Sequence, residues 1–198
     1  MIWIRTYSMT YLFLAMLAML AGCASGPRQP GEVAESVAHQ QAEEALLEER
    51  FQQAVALMES GEADAAESRF VQLVKDYPGH TGPLVNLGIL AFQNGDFENA
   101  TAYFKSALDL DSGHPVALNQ LGVIARMQGN FDAAEQNYRE ALRVEPDYLP
   151  AMLNLAFLLD IYLGRPAEAL ALYERYQSLA EEPDPRIEDW IFDTRNRL

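Results

Sequence analysis

Cysteine occurs once in these 198 residues, at Cys23, so no disulfide within the chain can staple the fold. Basic side chains are scarce as well. The 14 Lys and Arg stand against 29 Asp and Glu, and a formal charge of −15 argues against nucleic acid as a partner, because phosphate binding needs the opposite field. Histidine is limited to His39, His80 and His114, too far apart and too poor in neighbouring ligands for a metal site. No phosphate-cradling glycine loop, no Cys/His cluster and no nucleophile beside a base is present, and scattered carboxylates such as Asp160 have no visible pairing. The expectation is a protein that is not an enzyme and holds no metal or cofactor. Strand-period alternation is missing too, which leaves an all-α fold.

Long apolar runs are confined to Tyr11 to Ala21, after a short start in which Arg5 is the one charge. That run is too short for a membrane span, and residues 1–22 read as a secretory signal. It closes on Leu20-Ala21-Gly22-Cys23. The tetrad resembles the bacterial lipoprotein signal box, which implies a diacylglycerol thioether on Cys23, cleavage before it and acylation of its amine. Several acyl chains, at about 0.8 kcal/mol per buried methylene, make such an anchor effectively permanent. In lipoproteins of Gram-negative bacteria an Asp after the cysteine favours the inner membrane; Ala24 here implies the outer membrane, with the chain facing the periplasm. Residues 23–34 form the lipidated terminus and tether, since Gly26, Pro27, Pro30 and Gly31 leave no helical pattern between Ser25 and Glu32. Residues 33–49, rich in Ala, Glu and Gln, extend the first helix upstream.

What is abundant is repetition every 34 residues. Leu87-Gly88, Leu121-Gly122 and Leu155-Ala156 open matching phrases, preceded three residues earlier by Leu84, Leu118 and Met152. Gly95-Asp96-Phe97 and Gly129-Asn130-Phe131 follow, then Ala100 with Ala134, Phe104 with Tyr138, and Ala107 with Ala141. Ala54, Gly61, Ala66, Phe70 and Pro78 occupy the same slots one repeat upstream; Gly164, Ala169 and Tyr173 carry a fourth copy with one residue inserted near Leu163. Each phrase is a pair of amphipathic helices. Gly61, Gly95 and Gly129 stand where the first helix must stop and reverse. Gly88 and Gly122 fall mid-helix, where glycine costs about 1 kcal/mol, so close approach of the partner helix has to compensate. One pair cannot bury its apolar face alone, and four pairs must stack.

This pattern resembles the tetratricopeptide repeat. The resemblance implies a right-handed superhelix over residues 35–198, with repeats at about 47–80, 81–114, 115–148 and 149–183. Residues 184–197 read as a capping helix with Asp184 as N-cap, Pro185 at the first helical position, and Ile187, Trp190 and Ile191 on one face.

Such a superhelix offers a concave surface lined by the first helix of each pair, and the family's inward slots can be carried onto this chain. They give Phe51, Gln52, Val55, Met58 and Glu59 in the first copy, and Val85, Asn86, Ile89, Phe92 and Gln93 in the second. The third copy gives Asn119, Gln120, Val123, Arg126 and Met127, the fourth Leu153, Asn154, Phe157, Asp160 and Ile161. Chaperone-binding members clamp a peptide carboxylate there with Lys, Arg and Asn; Arg126 is the one basic group in this set, so that clamp is not expected. The groove is instead apolar with an amide track, Asn86, Asn119, Gln120 and Asn154 bonding a peptide backbone while Ile89, Phe92, Val123, Met127 and Phe157 receive its side chains. Phe92 and Met127 are expected to be exposed; Val85 and Leu153 are as readily packed between helices. The layout resembles repeat lipoproteins that assist type IV or tight-adherence pilus assembly, which implies a scaffold for a periplasmic or membrane protein segment. The alternative is an organiser of cell-wall hydrolases or of a TonB-type energy-transduction complex.

Overall fold

The computed structural model describes residues 30–198; Cys23, the signal segment and the tether up to residue 29 lie outside the described residues. The chain divides into two compact units, Met1–Leu46 and Leu47–Leu198. Helix α1 (Pro30–Glu59) begins in the first, and every side chain from Val37 to Leu46 is exposed. Its start at Pro30 corrects the reading of residues 30–32 as irregular tether. Proline at a helix start costs nothing, because its missing N–H would be unbonded there anyway.

The second unit is built of helix pairs in a right-handed superhelix. The end of α1 pairs with α2 (Ala63–Asp76), α3 (Thr81–Gln93) with α4 (Phe97–Leu110), and α5 (Pro115–Met127) with α6 (Phe131–Val144). The fourth pair is α7 (Leu149–Phe157) with α8 (Pro166–Leu179), and α9 (Ile187–Arg195) closes the series. Among the described residues there is no strand, and no helix is long and apolar enough to cross a membrane.

The turns within pairs are set by glycine. Gly61, Gly95, Gly129 and Gly164 take φ between +62° and +82°, the left-handed region that L side chains avoid. Around Gly95 the amide donates to the Phe92 carbonyl and the Asp96 amide to the Ala91 carbonyl, 3.0 and 2.9 Å, which satisfies carbonyls that a helix end leaves free. Gly129 and Asn130 repeat this pair of bonds on Arg126 and Ala125. The side chains of Asp96 and Asn130 then accept from the amides of Asn99 and Ala133, capping the second helices.

Packing within a pair rests on a ring laid over a bare backbone. A Cβ on Gly88 would stand 2.6 Å from Phe104 Cε1, and one on Gly122 would stand 2.5 Å from Tyr138 Cε1. That is the compensation the mid-helix glycines require. Phe70, Phe104, Tyr138 and Tyr173, 34 or 35 residues apart, are each buried to within 1%, and the small Ala66, Ala100, Ala134 and Ala169 one turn earlier are closed to solvent. The extra residue of the fourth copy is absorbed by a π-helical turn, Leu158–Tyr162, immediately before Leu163. Here the Arg165 amide reaches back to Leu159, one residue further than the equivalent bond at Asp96.

The C-terminal helix starts later than its sequence suggests. Pro185 and Arg186 form a turn, and α9 begins at Ile187. Asp184 caps from outside the helix: its carbonyl accepts from the Ile187 amide and its carboxylate from the Arg186 amide and guanidinium. Arg186 in turn lies 4.8 Å over the Trp190 ring and covers an apolar face at the end of the stack. The Arg186 guanidinium and amide hold the Asp184 carboxyl down at about 2. A carboxyl depressed in the fold contributes stability above its unfolded value and loses it as pH falls through the folded one. Trp190 emission should therefore shift red as pH falls from about 4 towards 2, and Asp184→Ala should show the acid-like spectrum already at pH 7. Identical spectra for the variant and the parent at pH 7 would contradict this.

Candidate functional site: the inner face of the repeat array

The first helices of successive pairs contact one another, α5 against α7, and their shared face carries the groove residues. At slots 34 residues apart, Val55, Ile89, Val123 and Phe157 form a half-buried apolar row. Met127 is 54% exposed and Ile161 55% exposed beside it. Tyr162 joins them, its ring 4.6 Å from Phe131 and 6.1 Å from Phe157. Sequence reading passed over Tyr162, because the π-turn that turns it out is invisible in a 34-residue register.

The amide track is narrower than expected. Asn119 is 5% exposed, and its Oδ1 accepts from Asn154 Nδ2 at 3.0 Å, so these two tie α5 to α7. Asn86 donates to the Gly82 carbonyl of its own helix at 3.0 Å. Of the four, Gln120 alone has no hydrogen bond among the described residues. The physical reason is burial: an amide drawn between helices has to be satisfied inside the fold.

Phe92 also departs from its expected exposure. It is half-buried with its ring 5.4 Å from Phe97, edge on, and so belongs to the turn of its own pair. Phe51 packs 5.7 Å from Phe70 and against Gly82, wedged between the first two pairs. Val85 is buried and Leu153 half-buried. Asp160 is 9% exposed and, against the sequence reading, paired: Arg197 reaches both carboxylate oxygens at 2.6 and 2.9 Å, and the buried Thr194 hydroxyl donates at 3.2 Å. The C-terminal helix thus covers the inner slot of the last pair.

Arg126 retains its charge on the inner face with no carboxylate within ion-pair distance among the described residues. Its guanidinium lies 5.6 Å over the Phe157 ring. Below it, burial pushes the Tyr138 phenol up from its ordinary value, and Arg126 opposes that shift. The acids are spent elsewhere: Glu135 bonds Arg139 and Arg165, and Glu168 bonds the same two on the outer helices. His80 and His114 are the residues before α3 and α5, in keeping with a structural slot. No three His, Cys, Asp or Glu converge on a metal position among the described residues.

An array of helix pairs with an uncharged, apolar inner row and an acidic exterior defines a helical-repeat scaffold for protein interaction. A tetratricopeptide repeat profile matches residues 81–147 and 114–182, together more than half of the chain, and a second matches residues 50–80. The chain belongs to the tetratricopeptide repeat family. Among solved structures, one described as the functional characterization of Pseudomonas aeruginosa pilF aligns at a TM-score of 0.69 and 18% identity, over 78% of this chain and 69% of that one. A MamA protein aligns at 0.61 and 21%, over 76% and 81%. A thermophilic repeat protein of Thermus thermophilus aligns at 0.60 and 20%, over 76% and 82%. Identities this low make the likeness one of fold. Comparison with curated protein sequences finds no match.

Proposed function

We propose that this chain is a lipid-anchored scaffold on the periplasmic side of the outer membrane. It holds an apolar segment of another protein in its inner groove during assembly of an envelope complex such as a pilus. The observation that carries the interaction reading is the exposed apolar set, Met127, Ile161 and Tyr162, beside a row with one free cation, in a molecule of net charge −15. A surface that an acidic protein keeps free of acid is suited to burying a partner. The membrane part of the reading rests on the tetrad ending at Cys23, and the pilus part is supported by the printed subject of one structural relative.

Two measurements test these parts separately. Cys23→Ser should release the protein into the soluble periplasm or trap it as uncleaved precursor; mature wild-type protein from washed membranes with no acyl mass on its N-terminal peptide would overturn the anchor. Met127→Lys with Ile161→Lys alters exposed side chains and should leave the melting temperature within about 2 °C of wild type, since surface changes usually stay within about 0.5 kcal/mol. The same pair should abolish partner capture. Capture at unchanged affinity would exclude the groove, and one cation there predicts only a shallow dependence on salt.

A further inference from the structure

The third pair buries two polar atoms that nothing in the chain satisfies. Tyr138 is closed to solvent, yet its hydroxyl has no hydrogen-bond partner, and the neighbouring Arg126 Nε is equally shielded and equally unpaired. Buried polar groups without partners are rare and costly. The fold does not require them: the slots that hold Arg126 and Tyr138 here hold Phe92 and Phe104 one repeat earlier, with no polar atom at all. One repeat later, at Asp160, the chain supplies the partners itself through Arg197 and Thr194. Only the third pair presents an uncompensated charge.

The character of the missing group follows from what is present. Guanidinium only donates, and a phenol beside it is free to donate, so the complement is an acceptor. The charge is uncompensated in apolar surroundings, which favours an anionic acceptor over a neutral one. Arg126 is also held in advance: the Phe157 ring lies under its plane at 5.6 Å, so less side-chain freedom is lost when it pairs.

We propose that Arg126, backed by the Tyr138 hydroxyl and the Phe157 ring, anchors one carboxylate, an Asp or Glu side chain carried by an otherwise apolar partner segment lying along Ile89, Val123 and Phe157. This rests on the groove reading above and specifies its partner: a hydrophobic stretch with one acidic residue in register with the third pair.

Selection of a random twelve-residue peptide library on the full chain tests it, with the recovered peptides as the probe. Peptides that lose binding to the Met127→Lys, Ile161→Lys variant should be apolar with one Asp or Glu. Changing that acid to its amide should weaken binding to wild type about tenfold and leave binding to Arg126→Gln unchanged. Arg126→Lys, which keeps the charge without the planar fork, should fall between, and matched melting curves separate lost binding from lost fold. Groove-bound peptides with no acid, or an amide change of equal effect on wild type and Arg126→Gln, overturn the carboxylate site and leave the groove standing. No recovered peptides, or peptides indifferent to the Met127 and Ile161 changes, overturn both.

Discussion

Gly122→Leu should destabilise the protein by about 3 kcal/mol or more, at the upper end of what overpacking a filled core costs. The reason is local and rigid. A Cβ at residue 122 would meet Tyr138 Cε1 at 2.5 Å and Cδ1 at 2.7 Å, and Tyr138 is fully buried, so the ring cannot swing aside into solvent. The helices must separate instead, which breaks the seam between α5 and α6. At roughly 2–4 °C per kcal/mol for a chain of this size, the melting temperature should fall by about 6–12 °C. Gln136→Leu, at an exposed position of the same pair, should leave it nearly unchanged. A double variant, Gly122→Leu with Tyr138→Leu, should lose less than the sum of the single losses, because the smaller side chain vacates the contested space. Equal melting temperatures for Gly122→Leu and Gln136→Leu would show the helix register to be wrong.

Removing residues 184–198 should have the larger effect. Ile187 is 2% exposed and Ile191 7% exposed in the cluster that also holds Leu158, Leu159 and Tyr173, with Trp190 packed against it. At about 1.5–3 kcal/mol per fully buried side chain the lost burial amounts to roughly 5 kcal/mol. Asp160 would in addition lose Arg197 and Thr194 and remain a carboxylate in apolar surroundings. A repeat array cut at an apolar face exposes a surface that associates with other copies. The shortened chain should melt at least 10 °C lower and elute as aggregate in size-exclusion chromatography. A monomer with the parent's melting temperature would show that α9 is no cap.

The fold was legible because its physics is periodic. A glycine facing a ring, an alanine one turn before that ring and a glycine at positive φ recur every 34 residues, and each marks a contact between neighbours in sequence. Position 184 shows where periodicity stops helping. Asp-Pro is a common helix opening, and only the Asp184 bonds to Arg186 and Ile187 reveal that a turn intervenes.

The groove was less legible, for a physical reason. The slots of the first helices follow from the repeat, but whether a side chain there faces solvent or a neighbour depends on atoms far away in sequence. Asn119 is consumed by Asn154, 35 residues on, and Asp160 by Arg197, 37 residues on. Met127 was placed well because it sits at the end of its helix, where no later pair closes over it. Phe92 holds the same kind of end position, yet Phe97 across the turn covers it. Tyr138 reads in sequence as one more ring of the row with Phe70 and Phe104, and its orphaned hydroxyl emerges only in three dimensions.

Site-specific photo-cross-linking tests the central claim, that the inner face is where this scaffold holds its partner, most directly. A benzophenone side chain placed at Met127 or Ile161 samples the inner face, and one at Gln136 samples the outer. After irradiation in intact cells, the account predicts one shared protein adduct from the two inner positions and none from the outer. Adducts from Gln136, with none from Met127 or Ile161, would contradict it.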